Sequence, residues 1–218
     1  DAQVTRQLKR AGAVFMGKLA THEFACGGPC FDLPWPPARN PWRPVLSPGG
    51  SSSGPAAAVA AGFLPVAIGS DSAGSIRGPA ALCGIVGMKP TYGRLSSQGV
   101  YPLAASLDTV GLMTRTVAEN AVVLSVIAAC DPNVAAPDFT TRLDTGIRGL
   151  KVTVIRHFYE SDVTADAELI RSMDRAIDTL SVLGADISDC RVRSVSEYTQ
   201  CNRTIMVSEA YSRHEAWL

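Results

Sequence analysis

Two loops of small residues carry the chemistry this sequence could perform. One is Gly49-Gly50-Ser51-Ser52-Ser53-Gly54; the other is Gly69-Ser70-Asp71-Ser72-Ala73-Gly74-Ser75-Ile76-Arg77. Residues without bulk let backbone N–H groups approach a ligand closely, and a helix starting at Pro55 would add the positive end of its dipole. Such a place can hold phosphate or stabilise an oxyanion. Phosphate fits poorly, because neither loop ends in Gly-Lys-Ser/Thr and no dinucleotide fingerprint is present. An oxyanion hole beside a serine nucleophile fits better. Gly-rich turns that pack a helix on a sheet would use the same residues, and at this level both readings stand.

Gly50-Ser51-Ser52-Ser53-Gly54 formally satisfies the G-x-S-x-G elbow with Ser52 as nucleophile. That elbow needs a strand directly before it, which Ser47-Pro48-Gly49 cannot form, and no downstream His lies in a suitable loop, so the assignment is set aside. Metal chemistry finds little support. Cys26, Cys30, Cys83, Cys130, Cys190 and Cys201 are scattered, as are His22, His157 and His214. Only Cys26-Gly-Gly-Pro-Cys30 is a close pair, and no second pair or His at ligand spacing accompanies it. The thiols are expected to be buried or incidental ones in a reducing cytoplasm. Neither metal nor cofactor is expected.

The elements that must position the two loops follow from periodicity and punctuation. Pro55 suits the first position of a helix over 55–62, capped by Ser53 or Gly54, and Leu64–Ile68 reads as a short strand. That order returns the second loop to the start of the helix. Upstream, Gln3–Ala11 reads as a helix stopped by Gly12, and Ala13–Met16 as a strand. Six prolines from Pro34 to Pro48 deny regular structure to the segment 27–50. Downstream, Thr116-x-x-Glu119 is a capping box opening a helix to about Cys130, and 132–144 reads as a surface connector. Strands are expected over Lys151–Arg156 and Ile187–Val192, and helices over Asp166–Leu183 and Ser196–Trp217. Strands alternating with helices predict an α/β fold with a mixed sheet flanked by helices.

Composition excludes several classes. Charged residues make up 18% and hydrophobic ones 46% of 218 residues, which no disordered tail could match. Lys plus Arg and Asp plus Glu both number 20, so charge gives no reason to expect nucleic acid or an anionic membrane as partner. The longest weakly polar run, 55–69, is too short to span a bilayer, which takes roughly 20 residues. No basic segment followed by an apolar one opens the sequence, and the expected compartment is the cytoplasm. Of the 33 Gly and Pro residues, 23 lie between Gly27 and Gly93, which marks that stretch as a linker or as a site built from backbone.

Several ordered blocks decide between these options. Pro48-Gly-Gly-Ser-Ser-Ser-Gly-Pro-Ala-Ala-Ala-Val-Ala-Ala-Gly62, Gly69-Ser-Asp-Ser-Ala-Gly-Ser-Ile-Arg-Gly-Pro-Ala80 and Cys83-Gly-Ile-Val-Gly-Met-Lys-Pro-Thr-Tyr-Gly-Arg94 resemble the amidase signature family. So do Gly12-Ala-Val-Phe-Met-Gly-Lys18, Glu23-Phe24, Arg39-Asn-Pro-Trp42, Ser106-Leu-Asp-Thr-Val-Gly111 and Thr114-Arg-Thr-Val117. The resemblance is dense from about residue 6 to residue 131 and thinner beyond, although Ser208-Glu-Ala-Tyr211 again looks similar.

The resemblance implies a Ser–Ser–Lys triad. Ser75 matches the nucleophile and Ser51 the bridging serine, which in the family follows a cis peptide bond. The N–H groups of Ser72, Ala73, Gly74 and Ser75 match the oxyanion hole, although the family has Gly where this chain has Ala73. Asp71, Arg77 and Ser52 match supporting positions. The family's lysine sits in an apolar motif ending Lys-Asp, upstream of where Asp1 falls. Lys9, Lys18, Lys89 and Lys151 match no such motif. The chain therefore reads as an interior part of a single amidase signature domain, truncated at both ends and expected not to turn over amides alone. The implied partner is a small-molecule amide, with no direct nucleic acid and no membrane; a homodimer is compatible with the sequence.

Three functions remain at this level. One is a stand-alone amidase, towards which Phe31-Asp-Leu-Pro-Trp-Pro-Pro-Ala-Arg-Asn40 and Ser53 lean. The second is the amidase subunit of a tRNA-dependent amidotransferase, which more usually has Gly at the position of Ser53. The third is a non-catalytic binding domain of the same fold.

Overall fold

The computed structural model describes residues 1–129 and 137–217, which fall into two compact units. The first takes the described part of 1–141 together with 205–217, and the second spans 142–204.

In the first unit, α1 (Gln3–Arg10) is followed by a long irregular segment with one 3₁₀ turn, Glu23–Ala25. Then come α2 (Ser53–Ala60), β1 (Val66–Asp71), α3 (Arg77–Cys83), β2 (Val86–Met88), β3 (Thr109–Thr114) and α4 (Val117–Ile127). The three strands form an antiparallel sheet in the order β1-β3-β2. The central strand, β3, is buried at every residue. Its alternate side chains serve two cores. Val110 and Leu112 pack with Val4, Leu95, Leu124 and Ile127, whereas Met113 packs with Ala56, Ile76 and Cys83. Gly111 points to this second side, where a Cβ would run into the Met88 carbonyl. A strand covered on both faces carries no polar alternation, which is why periodicity does not reveal β3.

In the second unit, β4 (Lys151–Val154) pairs in parallel with β5 (Asp186–Asp189). The helix α5 (Ala167–Val182) connects them, with Asp166 accepting from the N–H groups of Glu168 and Leu169 as its N-cap. Arg156 ties the unit together, donating to Asp189 at 2.9 Å and to Asp174 at 3.1 Å. The last helix, α6 (Val195–His214), contributes its first residues to this unit and its last to the first unit.

The expected mixed α/β architecture with flanking helices is present. Several details differ. Ala13–Met16 forms no strand: Val14 and Met16 are exposed and no strand pairs with them among the described residues. α2 begins at Ser53, ahead of Pro55. α3, β2 and β3 are additional to the elements expected. Trp42 is 73% exposed, and its indole N–H donates to Cys83 O at 2.7 Å. Cys83 is buried as expected, whereas Cys26 and Cys201 are exposed. The expected helix end at Cys130 and the start of the expected connector at 132–136 lie outside the described residues. No described helix is long and apolar enough to cross a membrane.

Candidate active site

The first loop owes its course to glycine and to Ala20. The Gly54 N–H donates to Ala20 O at 2.7 Å, and a Cβ on Gly54 would run into that same carbonyl. Ser53 Oγ donates to it as well, at 3.3 Å. The Gly50–Ser51 peptide bond is cis, as the resemblance implies. The Ser51 carbonyl accepts from the His22 N–H at 3.0 Å, and the His22 imidazole lies where a Cβ on Gly50 would go. Burial lowers the His22 pKa, against a raising hydrogen bond that the imidazole donates to the Gly27 backbone.

The second loop leaves the sheet at the end of β1. Ser52 couples the loops: its N–H donates to Ser75 O at 3.3 Å. Its hydroxyl donates to Ser70 O at 3.3 Å and accepts the Ser70 N–H at 3.4 Å. Ser52, the nominal elbow nucleophile, is thus a staple between α2 and β1. Close packing at this junction also requires Gly69, whose Cβ would come within 2.6 Å of Ser52 Oγ.

Asp71 holds the second loop from within. Its fully buried carboxylate accepts the N–H groups of Gly74 at 2.7 Å, Ile76 at 3.2 Å and Arg77 at 3.3 Å. The Arg77 guanidinium adds Nε at 3.0 Å and an Nη at 2.9 Å. Burial alone would raise the Asp71 pKa, but the Arg77 guanidinium and the N–H groups of Gly74 and Ile76 outweigh it and hold the carboxyl below its usual value. Gly74 has φ 124°, which disfavours any side chain, whereas Ala73 has no positive φ. Alanine in place of the family's glycine therefore introduces no backbone strain at 73.

Ser51 is buried and Ser75 half-buried, on loops joined by the Ser52–Ser75 bond. Their hydroxyls make no hydrogen bond to one another among the described residues. Catalytic hydrogen bonds commonly tighten only when substrate is present. Of the expected oxyanion donors, the Gly74 N–H is committed to Asp71, while those of Ala73 and Ser75 meet no acceptor among the described residues. A cavity of about 200 Å³ opens beside the first loop, between His22, Phe31, Arg39, Val45, Leu46 and Gly49. None of the four lysines is buried.

One residue of this site is not among those expected from the sequence. Asp108, just ahead of β3, accepts the Ser72 hydroxyl at 2.5 Å. A signal is present in the block Ser106–Gly111, but the place of Asp108 opposite Ser72 depends on a strand register that the sequence does not state.

Known proteins similar to this chain share one family. The family described as Amidase matches residues 1–216. The A-subunit of glutamyl-tRNA(Gln) amidotransferase from Roseiflexus castenholzii is 46% identical over 87% of this chain and 39% of its own length. The corresponding protein of an Exiguobacterium species is 43% identical over 97% of this chain and 45% of its own. Among solved structures, the A-subunit from Thermotoga maritima superposes with a TM-score of 0.87 at 37% identity, covering 97% of this chain and 48% of that one. Native peptide amidase from Stenotrophomonas maltophilia gives 0.80 at 34%, covering all of this chain and 47% of that one. The chain thus spans between about two fifths and half the length of the relatives it matches.

Proposed function

The chain belongs to the amidase signature family, and from that premise we propose that it carries the serine centre of an amide-hydrolysing enzyme, with both units parts of one amidase domain. Ser75 is the nucleophile and Ser51 the proton relay. A neutral lysine from outside these residues accepts a proton from Ser51, Ser51 takes one from Ser75, and Ser75 Oγ attacks the amide carbonyl. The proton returns to the departing nitrogen, ammonia or an amine leaves, and water hydrolyses the acyl-enzyme. Of the four expected donors, the N–H groups of Ala73 and Ser75 receive the oxyanion, because that of Gly74 is committed to Asp71.

The observation that carries this reading is the bond from Ser52 N–H to Ser75 O at 3.3 Å, which sets the two serine loops side by side although 24 positions separate Ser51 from Ser75. The substrate is a small linear carboxamide, the compartment the cytoplasm, and residues 1–218 alone do not turn over amides because they lack the base. Reaction with a fluorophosphonate tests the reading. The full-length protein is expected to label at Ser75, and labelling elsewhere, or none, would overturn it.

A second reading is favoured by one observation. Among solved structures the amidotransferase A-subunit is 37% identical to this chain and the peptide amidase 34%, and the two amidotransferase sequences reach 46% and 43%. On this reading the same chemistry releases ammonia for a partner protein. Co-purification of the natural protein with a second polypeptide selects it; free turnover of carboxamides by the lone full-length polypeptide selects the stand-alone enzyme.

A further inference from the structure

We propose that Asp108 is a positioning residue for the oxyanion loop, acting through the Ser72 hydroxyl; the inference rests on the amidase reading of Ser75. The antiparallel register of β1 and β3 ends with Asp71 opposite Thr109, so the next residues outward, Ser72 and Asp108, face each other as the strands part. Asp108 Oδ1 accepts Ser72 Oγ–H at 2.5 Å. Its other oxygen accepts the N–H groups of Leu103 at 2.8 Å and Ala104 at 3.0 Å. Both oxygens are therefore committed, one to the oxyanion loop and the other to the turn 103–108.

That turn is itself anchored. Leu107 and Asp108 donate their N–H groups to Ala104 O at 2.9 and 2.8 Å. From α6, the Glu209 carboxylate accepts the Ser106 N–H at 3.0 Å and also the Ser106 hydroxyl. The loop 72–75 is thus held by two carboxylates from different directions. Asp71 fixes its later part through Gly74, Ile76 and Arg77, and Asp108 fixes its first residue. Oxyanion donors are effective because they are held in place before charge develops, so an anchor on Ser72 acts on the rate of acylation more than on substrate binding. If Asp108 served only to close the turn 103–108, its loss and the loss of the Ser72 hydroxyl would act independently.

The test uses the full-length protein with Asp108→Ala, Asp108→Asn, Ser72→Ala and the Asp108→Ala/Ser72→Ala double variant. Measured are the rate of Ser75 labelling by a fluorophosphonate, kcat and KM on small carboxamides, and amide hydrogen exchange of peptides covering 72–76 and 117–127. Asp108→Ala is expected to slow labelling and kcat by about 10- to 100-fold, less than outright loss of an oxyanion donor, with KM within about twofold. Ser72→Ala gives a comparable loss, and the double variant is no worse than the worse single one. Exchange rises over 72–76 and not over 117–127. Asp108→Asn, whose amide still bonds both Ser72 Oγ and the turn, recovers part of the rate.

Additive losses, an unchanged kcat, or unchanged exchange over 72–76 in Asp108→Ala overturns the proposal. Should Asp108→Ala unfold, seen as raised exchange over 117–127, Ser72→Ala decides alone, and an unchanged labelling rate overturns it. A wild type with the predicted exchange contrast that neither labels at Ser75 nor hydrolyses amides overturns the amidase reading and leaves the anchoring by Asp108 standing.

Discussion

Single side chains at this site divide between reacting and holding. Ser75 is assigned to react, so Ser75→Ala is expected to cut amide hydrolysis by about 10⁴-fold or more while leaving the melting temperature nearly unchanged, as assayed side by side on one preparation. Asp71 holds. Because its folded pKa lies below the unfolded value of about 3.9, its contribution to stability is fully present above that value and is lost as pH falls through the folded pKa. Asp71→Asn should therefore destabilise the protein at pH 7 by about 1–3 kcal/mol. The gap to wild type should narrow as the pH drops below about 4 in denaturant titrations. A gap of constant size at every pH would mean that the carboxylate's charge contributes nothing. Arg77 is 55% exposed, so the Asp71–Arg77 pair accounts for less of this than the buried N–H contacts do.

Helices and strands set these side chains in place, and how far each is legible in the sequence follows its exposure. The capping box at Thr116 is readable because its signal is local: Thr116 Oγ1 accepts the Glu119 N–H at 3.2 Å, and the Glu119 carboxylate accepts the Thr116 N–H at 2.9 Å. Thr116→Ala should cost about 1 kcal/mol in equilibrium unfolding, without changing the fluorophosphonate labelling rate. The two Gly/Ser loops and the cis Gly50–Ser51 bond are legible through family blocks rather than through periodicity. β3 is not, since burial on both faces removes the alternation that marks a strand. With β3 hidden, its register with β1 is hidden too, and so is Asp108 opposite Ser72. Ala13–Met16 shows the converse: an apolar, strand-like run forms no strand when no strand among the described residues pairs with it. Gly54→Ala tests how firmly the first loop is fixed. The added methyl meets the Ala20 carbonyl, and a loss of about 1–3 kcal/mol with slower Ser75 labelling is expected.

At the level of the whole molecule the question is where the base resides. A lysine that accepts a proton near neutral pH must be kept from water, because an exposed amine holds its proton up to about pH 10.4. Lys9 is paired with Asp1 at 2.5 Å and half-exposed, Lys18 and Lys151 are exposed, and Lys89 is only partly covered. None has the enclosure the role demands. Changing each of the four to Met in the full-length protein should thus leave kcat within about twofold, since charge removal at an exposed site alters little beyond local stability. In the same protein kcat/KM should rise with pH through the lowered pKa of the enclosed lysine and then level off. If one of the four substitutions abolishes turnover and removes that pH limb together, the base lies within these residues.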